Sequence, residues 1–142
     1  MTSGLIVGTF KWVKGELIGK GTYGSVYLGL NATTGEMLAV KEVEITRTFG
    51  DRNDDQSKSK LDALYGEIET LKDLDHPHIV QYLGYERTDK TLSIFLEYVP
   101  GGSVGRCLKK HGRFEESVIR SLIRQTLEGL AYLHAQGRLH RV

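Results

Sequence analysis

Leu17-Ile18-Gly19-Lys20-Gly21-Thr22-Tyr23-Gly24-Ser25-Val26 is a glycine-rich turn between two apolar runs, and Ala39-Val40-Lys41 follows it. Glycines at 19, 21 and 24 let a backbone approach a charged ligand with no Cβ atoms in the way. The runs 12–18 and 25–30 read as strands, and 37–43 as a third that brings Lys41 to whatever the glycines cover. Asn31-Ala32-Thr33-Thr34-Gly35-Glu36 supplies the turn between the second and third, so the three form an antiparallel meander. Glycines above a lysine point to a nucleoside triphosphate site.

Three other readings of the glycines are weaker. In a dinucleotide-binding unit they would open a helix, whereas here they open Ser25-Val26-Tyr27-Leu28, a β-type run. A Walker A loop needs four residues between its first glycine and Gly-Lys-Ser/Thr. Gly15-Glu16-Leu17-Ile18-Gly19-Lys20-Gly21 has three, and Gly21 stands where a hydroxyl would hold magnesium. A purely structural hairpin leaves Lys41 without a purpose.

Outward from this core, residues 46–60 are polar and mixed in charge and read as a solvated, mobile connector. Leu61, Leu64, Ile68, Leu71 and Leu74 recur every three or four residues, the pattern of an amphipathic helix, and Asp75-His76-Pro77 stops it. Residues 79–85 and 92–98 read as two further strands joined by Glu86-Arg87-Thr88-Asp89-Lys90. Pro100-Gly101-Gly102 ends the strand pattern. A short helix over 103–110 and a long one over 115–136 complete the chain, the latter with Val118, Ile119, Leu122, Ile123, Leu127, Leu130 and Leu133 on one face.

Bulk properties exclude several classes. Net charge is +1, so no long-range field favours nucleic acid or an anionic membrane. Cys107 is the only cysteine, so there is neither an internal disulfide nor a cysteine zinc site, which fits a reducing cytoplasm. No run approaches the roughly 18 apolar residues of a membrane helix. The first residues lack the basic region of a signal peptide, and the Asn31-Ala32-Thr33 sequon is therefore read as accidental.

The spacing strand, Gly19-x-Gly21-x-x-Gly24-x-Val26, strand, with Lys41 in Ala39-Val40-Lys41, resembles the protein kinases from Trp12 to the end of the chain. The resemblance implies an α+β fold: a small lobe with a five-stranded antiparallel sheet and one helix, then the first helices of the large lobe. It implies a lead-in over 1–11 and a partial kinase domain over 12–142, divided into small lobe 12–96, hinge 97–103 and start of the large lobe 104–142. ATP would lie under Ile18, Gly19, Lys20, Gly21, Thr22, Tyr23, Gly24, Ser25 and Val26, with Lys41 pairing with its phosphates. Glu67 is the helix carboxylate expected to orient Lys41; Glu69 lies about 160° further round a regular helix. Ile18, Val26, Ala39 and Leu96 would line the adenine slot, the Glu97 carbonyl and Val99 amide would read the base, and Ser103 would lie near the ribose.

Thr70-Leu71-Lys72-Asp73-Leu74-Asp75-His76, 79–84, Phe95 to Val104 and Gly129-Leu130-Ala131-Tyr132-Leu133-His134 resemble the MAP kinase kinase kinases, most of all the fungal enzymes of the cell-wall integrity cascade. That resemblance implies transfer of the ATP γ-phosphate to serine and threonine of a MAP kinase kinase. Kinase catalytic loops read His-Arg-Asp, the aspartate orienting and deprotonating the substrate hydroxyl. Here the sequence is His140-Arg141-Val142, and an alkyl side chain accepts no proton. The catalytic Asp and Asn and the metal-binding Asp are all wanting, so no metal ligand is assigned. Mg2+ is expected only with an intact kinase, and the chain alone is expected to be inactive, as from a truncated transcript or gene model. The alternative is a non-catalytic module that competes in the cascade for nucleotide or partners.

Overall fold

A computed structural model describes residues 11–21, 24–45 and 54–138, with the side chains of 54, 56 and 57 outside the description. The expectations for the lead-in, for Thr22 and Tyr23, for 46–53 and for His140-Arg141-Val142 lie outside the described residues.

Five strands, β1 (Trp12–Lys20), β2 (Ser25–Asn31), β3 (Met37–Glu44), β4 (Tyr82–Arg87) and β5 (Thr91–Glu97), form one antiparallel sheet in the order β1-β2-β3-β5-β4. The chain divides into two compact units, one of Met1–Leu74 with Gln81–Tyr98 and the other of Asp75–Val80 with Val99–Val142. The first holds the sheet and α1 (Asp54–Leu71). Alternation along β3 and β5 gives the sheet two apolar faces. On one, Val43, Leu92, Ile94 and Tyr82 pack with Leu64 and Ile68 of α1; on the other, Leu38, Val40 and Phe95 pack with Trp12 and Leu83. Leu64, Leu92, Ile94, Phe95 and Val40 are fully buried, each removing about 1.5–3 kcal/mol of unfavourable water contact. Trp12 meets Phe95 edge-on at 5.5 Å, and its indole N–H donates to Glu86 Oε2.

Asn31, 7% exposed, accepts the amides of Thr33 and Thr34 on Oδ1 and so builds the turn that sets the β2–β3 register. Its side chain is committed to that turn.

Three readings of the sequence are corrected here. Residues 54–60, taken as connector, are the first two turns of α1. Asp55, Lys58, Ser59 and Lys60 are exposed and the segment has no apolar period to announce it, while the packed Leu61, Leu64 and Ile68 stripe extends helix into it and Asp55 suits the positive helix terminus. Leu74 is buried but beyond the helix, its amide closing a turn onto the Leu71 carbonyl. Residues 79–81 precede β4: the Ile79 amide turns back onto the His76 carbonyl, and the strand begins at Tyr82.

The second unit holds α2 (Val104–His111) and α3 (Glu116–Ala135). Ser103 caps α2 by accepting the Arg106 amide on Oγ, and Gly112 at φ 77° ends it. The 75–80 loop is fastened to α3. Tyr132 Oη accepts the Asp75 amide at 3.0 Å, His78 Nε2 stands 3.0 Å from Glu128 Oε2, and the His76 ring lies 4.9 Å from that of Tyr132. Gly129 is the buried residue of α3, because a Cβ there would press on the His78 carbonyl at 3.2 Å.

Candidate functional site

Lys41 sits in the middle of β3, opposite Val26 of β2 on one side and Ile94 of β5 on the other. Alternation turns it to the face that carries α1. There its ammonium lies 2.7 Å from Glu67 Oε2, with the two side chains 19% and 30% exposed. Among the described residues Glu67 takes one ammonium hydrogen, which leaves two donors on the same nitrogen. Glu69, one residue pair further round the helix, pairs instead with Lys72 at 2.7 Å.

The glycine hairpin stands directly over this lysine. A Cβ on Gly21 would lie 3.8 Å from Lys41 Cε, so the Lys41 stem runs beneath the turn. The Gly21 amide donates to the Gly24 carbonyl at 2.8 Å and closes the turn. Gly19 pairs with Val26 and Lys20 with Ser25 at the strand ends. The glycines differ in what requires them. Gly19 and Gly21 have ordinary room for a methyl group, whereas a Cβ on Gly24 would overlap the Glu42 carbonyl and press on Val43 Cγ2 at 3.0 Å. At Gly24 the close approach is to the protein's own β3 strand.

Val26, Ala39 and Leu96 share the face of Lys41, since Ala39 is two residues from Lys41 and pairs with Leu96. All three are half-buried, and Leu96 packs against the core beneath α1. Ile18 falls at a register shift between Leu17 and Gly19, a bulge that the apolar pattern of β1 does not reveal. Glu97 ends β5; its amide donates to the Gln81 carbonyl and its carboxylate accepts the Gln81 amide. In the other unit, Val99 is exposed, its carbonyl taking the Gly102 amide, and the Ser103 hydroxyl is engaged as the α2 cap.

A brace behind Lys41 escaped the sequence reading. Lys14 of β1 reaches across the Tyr27 ring, 4.0 Å from its centroid, to Glu42 Oε1 at 2.8 Å, and the Ser93 hydroxyl lies 3.4 Å from Glu42 Oε2. Glu42 thereby ties β1 and β5 to β3 one residue from Lys41. The Glu42 hydrogen bond holds the Lys14 ammonium above its ordinary value, against partial burial. The sign of such a pair is in the sequence as opposite charges on outward positions, but its partners follow only from the register.

Known proteins share this sequence pattern and fold. The model of the family described as "Protein kinase domain" matches residues 12–141. A mitogen-activated protein kinase kinase kinase, mkh1, of Cytospora mali is 63% identical over 133 residues, covering 94% of this chain and 7% of its own length. The serine/threonine-protein kinase BCK1/SLK1/SSP31 of Saccharomyces cerevisiae is 55% identical over 132 residues, covering 93% of this chain and 9% of its own. The chain therefore spans under a tenth of these two relatives. Among solved structures, Rad53 1-466 in complex with AMP-PNP superposes with a TM-score of 0.73 at 29% identity, covering 94% of this chain and 32% of that one.

Proposed function

The chain belongs to the protein kinase family, and on that premise we propose that it forms the ATP-holding part of a serine/threonine protein kinase of MAP kinase kinase kinase type. The observation that carries this is the Lys41–Glu67 pair beneath the Gly21 turn. A lysine held by one carboxylate keeps its direction, and its two remaining donors can meet phosphate oxygens. The half-buried setting strengthens that attraction relative to water.

In this reading Glu67 is a positioning residue and Lys41 the phosphate contact, with 18–26 as the cover. Ile18, Val26, Ala39 and Leu96 offer adenine an apolar surface, and the backbone of Glu97 offers it a hydrogen bond. Mg2+ is different. It is expected only with the intact kinase: among the described residues no group of three or more His, Cys, Asp or Glu side chains could hold a metal ion, and no step here passes through one.

In the longer relatives the substrate hydroxyl would belong to a MAP kinase kinase, in the cytoplasm. The 142 residues carry Val142 after His140-Arg141, where kinase catalytic loops have the aspartate that takes the hydroxyl proton, and loss of such a base typically costs 10²–10⁴-fold on its own. We expect them to hold nucleotide and to transfer no phosphate. Titration calorimetry with ATP, with and without Mg2+, tests the nucleotide site. Saturable heat that falls at least about tenfold in affinity for Lys41→Ala is expected, about 1.4 kcal/mol for loss of a charged hydrogen bond; identical heats for the two proteins would refute it.

A further inference from the structure

Charge is spread unevenly over the two helices of the second unit. Along α3 each arginine has a glutamate four residues away: Arg120 with Glu116 at 2.6 Å and Arg124 with Glu128 at 2.8 Å. α2 has no acidic residue. Arg106, Lys109 and Lys110 recur at three and four and so fall within about 100° of its circumference. Arg113 follows two residues after the helix ends. All four are exposed, and among the described residues none is in an ion pair, although Lys14, Lys41, Lys72, Arg120 and Arg124 are.

The helix dipole accounts for part of this. Cations in the last turn, where Lys109, Lys110 and His111 stand, meet the negative end of the helix. Arg106 is in the first turn, where the dipole opposes a cation and no acidic residue offsets it. Like charges three and four residues apart also repel. Folding alone gives no reason for this stripe.

We propose that the Arg106–Lys109–Lys110 face of α2, extended by Arg113, docks an acidic segment of a protein partner. The stripe is small, about 6 Å along the helix axis from Arg106 to Lys110, which matches a short peptide bearing a few carboxylates. Its four cations stand only at the lower limit of the roughly four to eight Lys/Arg that hold an anionic membrane, and below the about six to ten phosphate contacts of a duplex. Here Glu115 and Glu116 follow at once, and the whole chain carries only +1. The inference does not depend on nucleotide binding.

Fluorescence anisotropy of the full chain with a short fluorescein-labelled peptide rich in glutamate, against its glutamine counterpart, reads the interaction. The glutamate peptide should bind, more weakly as salt rises, and Arg106→Gln/Lys109→Gln/Lys110→Gln should weaken it roughly tenfold, each exposed pair being worth a factor of about two. Arg120→Gln/Arg124→Gln should leave it unchanged. Should the triple variant fail to keep its circular dichroism, Lys109→Glu/Lys110→Glu provides a second arm and should exchange preference for a lysine-rich peptide. Equal affinity for the glutamate and glutamine peptides, or no binding of either, would overturn the proposal. So would binding of phosphatidylserine vesicles or duplex DNA that depends on this stripe while the peptide does not bind.

Discussion

At the scale of single residues, glycine has two distinct purposes in the hairpin. Gly21 leaves space above the Lys41 stem, while Gly24 lets β2 close onto the Glu42 carbonyl. Gly24→Ala should therefore destabilise the sheet by about 1–3 kcal/mol, as overpacking does, and Gly19→Ala, with only Val26 Cβ at 3.8 Å, by much less. Urea unfolding of both variants measures the contrast; equal midpoints would disprove it. Glu128 gives a pH signature. The Arg124 hydrogen bond, helped by the charges of Arg124 and His78 and opposed by burial, holds its carboxyl below the ordinary 4.5. A lowered value in the folded state means that its stabilising contribution is complete above about 4.5 and is lost as pH falls through the depressed value. The melting temperature of the native chain should exceed that of Glu128→Gln near neutrality and converge with it in acid. A gap that does not change with pH would contradict this.

At the scale of elements, legibility followed apolar period. β2, β3, α2 and α3 were readable to within a residue or so, because strand alternation, the Pro100-Gly101-Gly102 break and the apolar face of α3 mark them. The start of α1 was not, since its first turns have no apolar face and owe their helix to the packed stripe further on. The β1 bulge at Ile18 was hidden for a related reason: register is a property of two strands, and one strand's sequence does not state it. Gly66 in α1, one residue before Glu67, is exposed, with open space where a methyl group would stand. Gly66→Ala should stabilise the chain by about 0.5–1 kcal/mol through helix propensity and the unfolded state. Thermal melts check this, and a lowered midpoint would show that Gly66 has a packing purpose.

At the scale of the molecule, the sheet presents Lys41 to α1, and α1 returns Glu67 to it across 26 residues of sequence. The candidate pair was legible through the kinase resemblance that the glycine spacing and Ala39-Val40-Lys41 carry, which implied a helix carboxylate, and the helical period favoured Glu67 over Glu69. The Lys14–Tyr27–Glu42 brace and the fastening of the 75–80 loop by Tyr132 and Glu128 were not, because they depend on which distant residues the fold brings together. The central claim is that the phosphates of ATP lie against Lys41. An acyl phosphate of ATP transfers its acyl group to an amine beside the phosphates, and peptide mass spectrometry identifies the lysine acylated. Labelling concentrated on Lys41, suppressed by excess ATP and reduced in Glu67→Ala but not in Glu69→Ala, is the predicted result. Labelling scattered over exposed lysines such as Lys58, Lys60 and Lys90, indifferent to ATP, would contradict it.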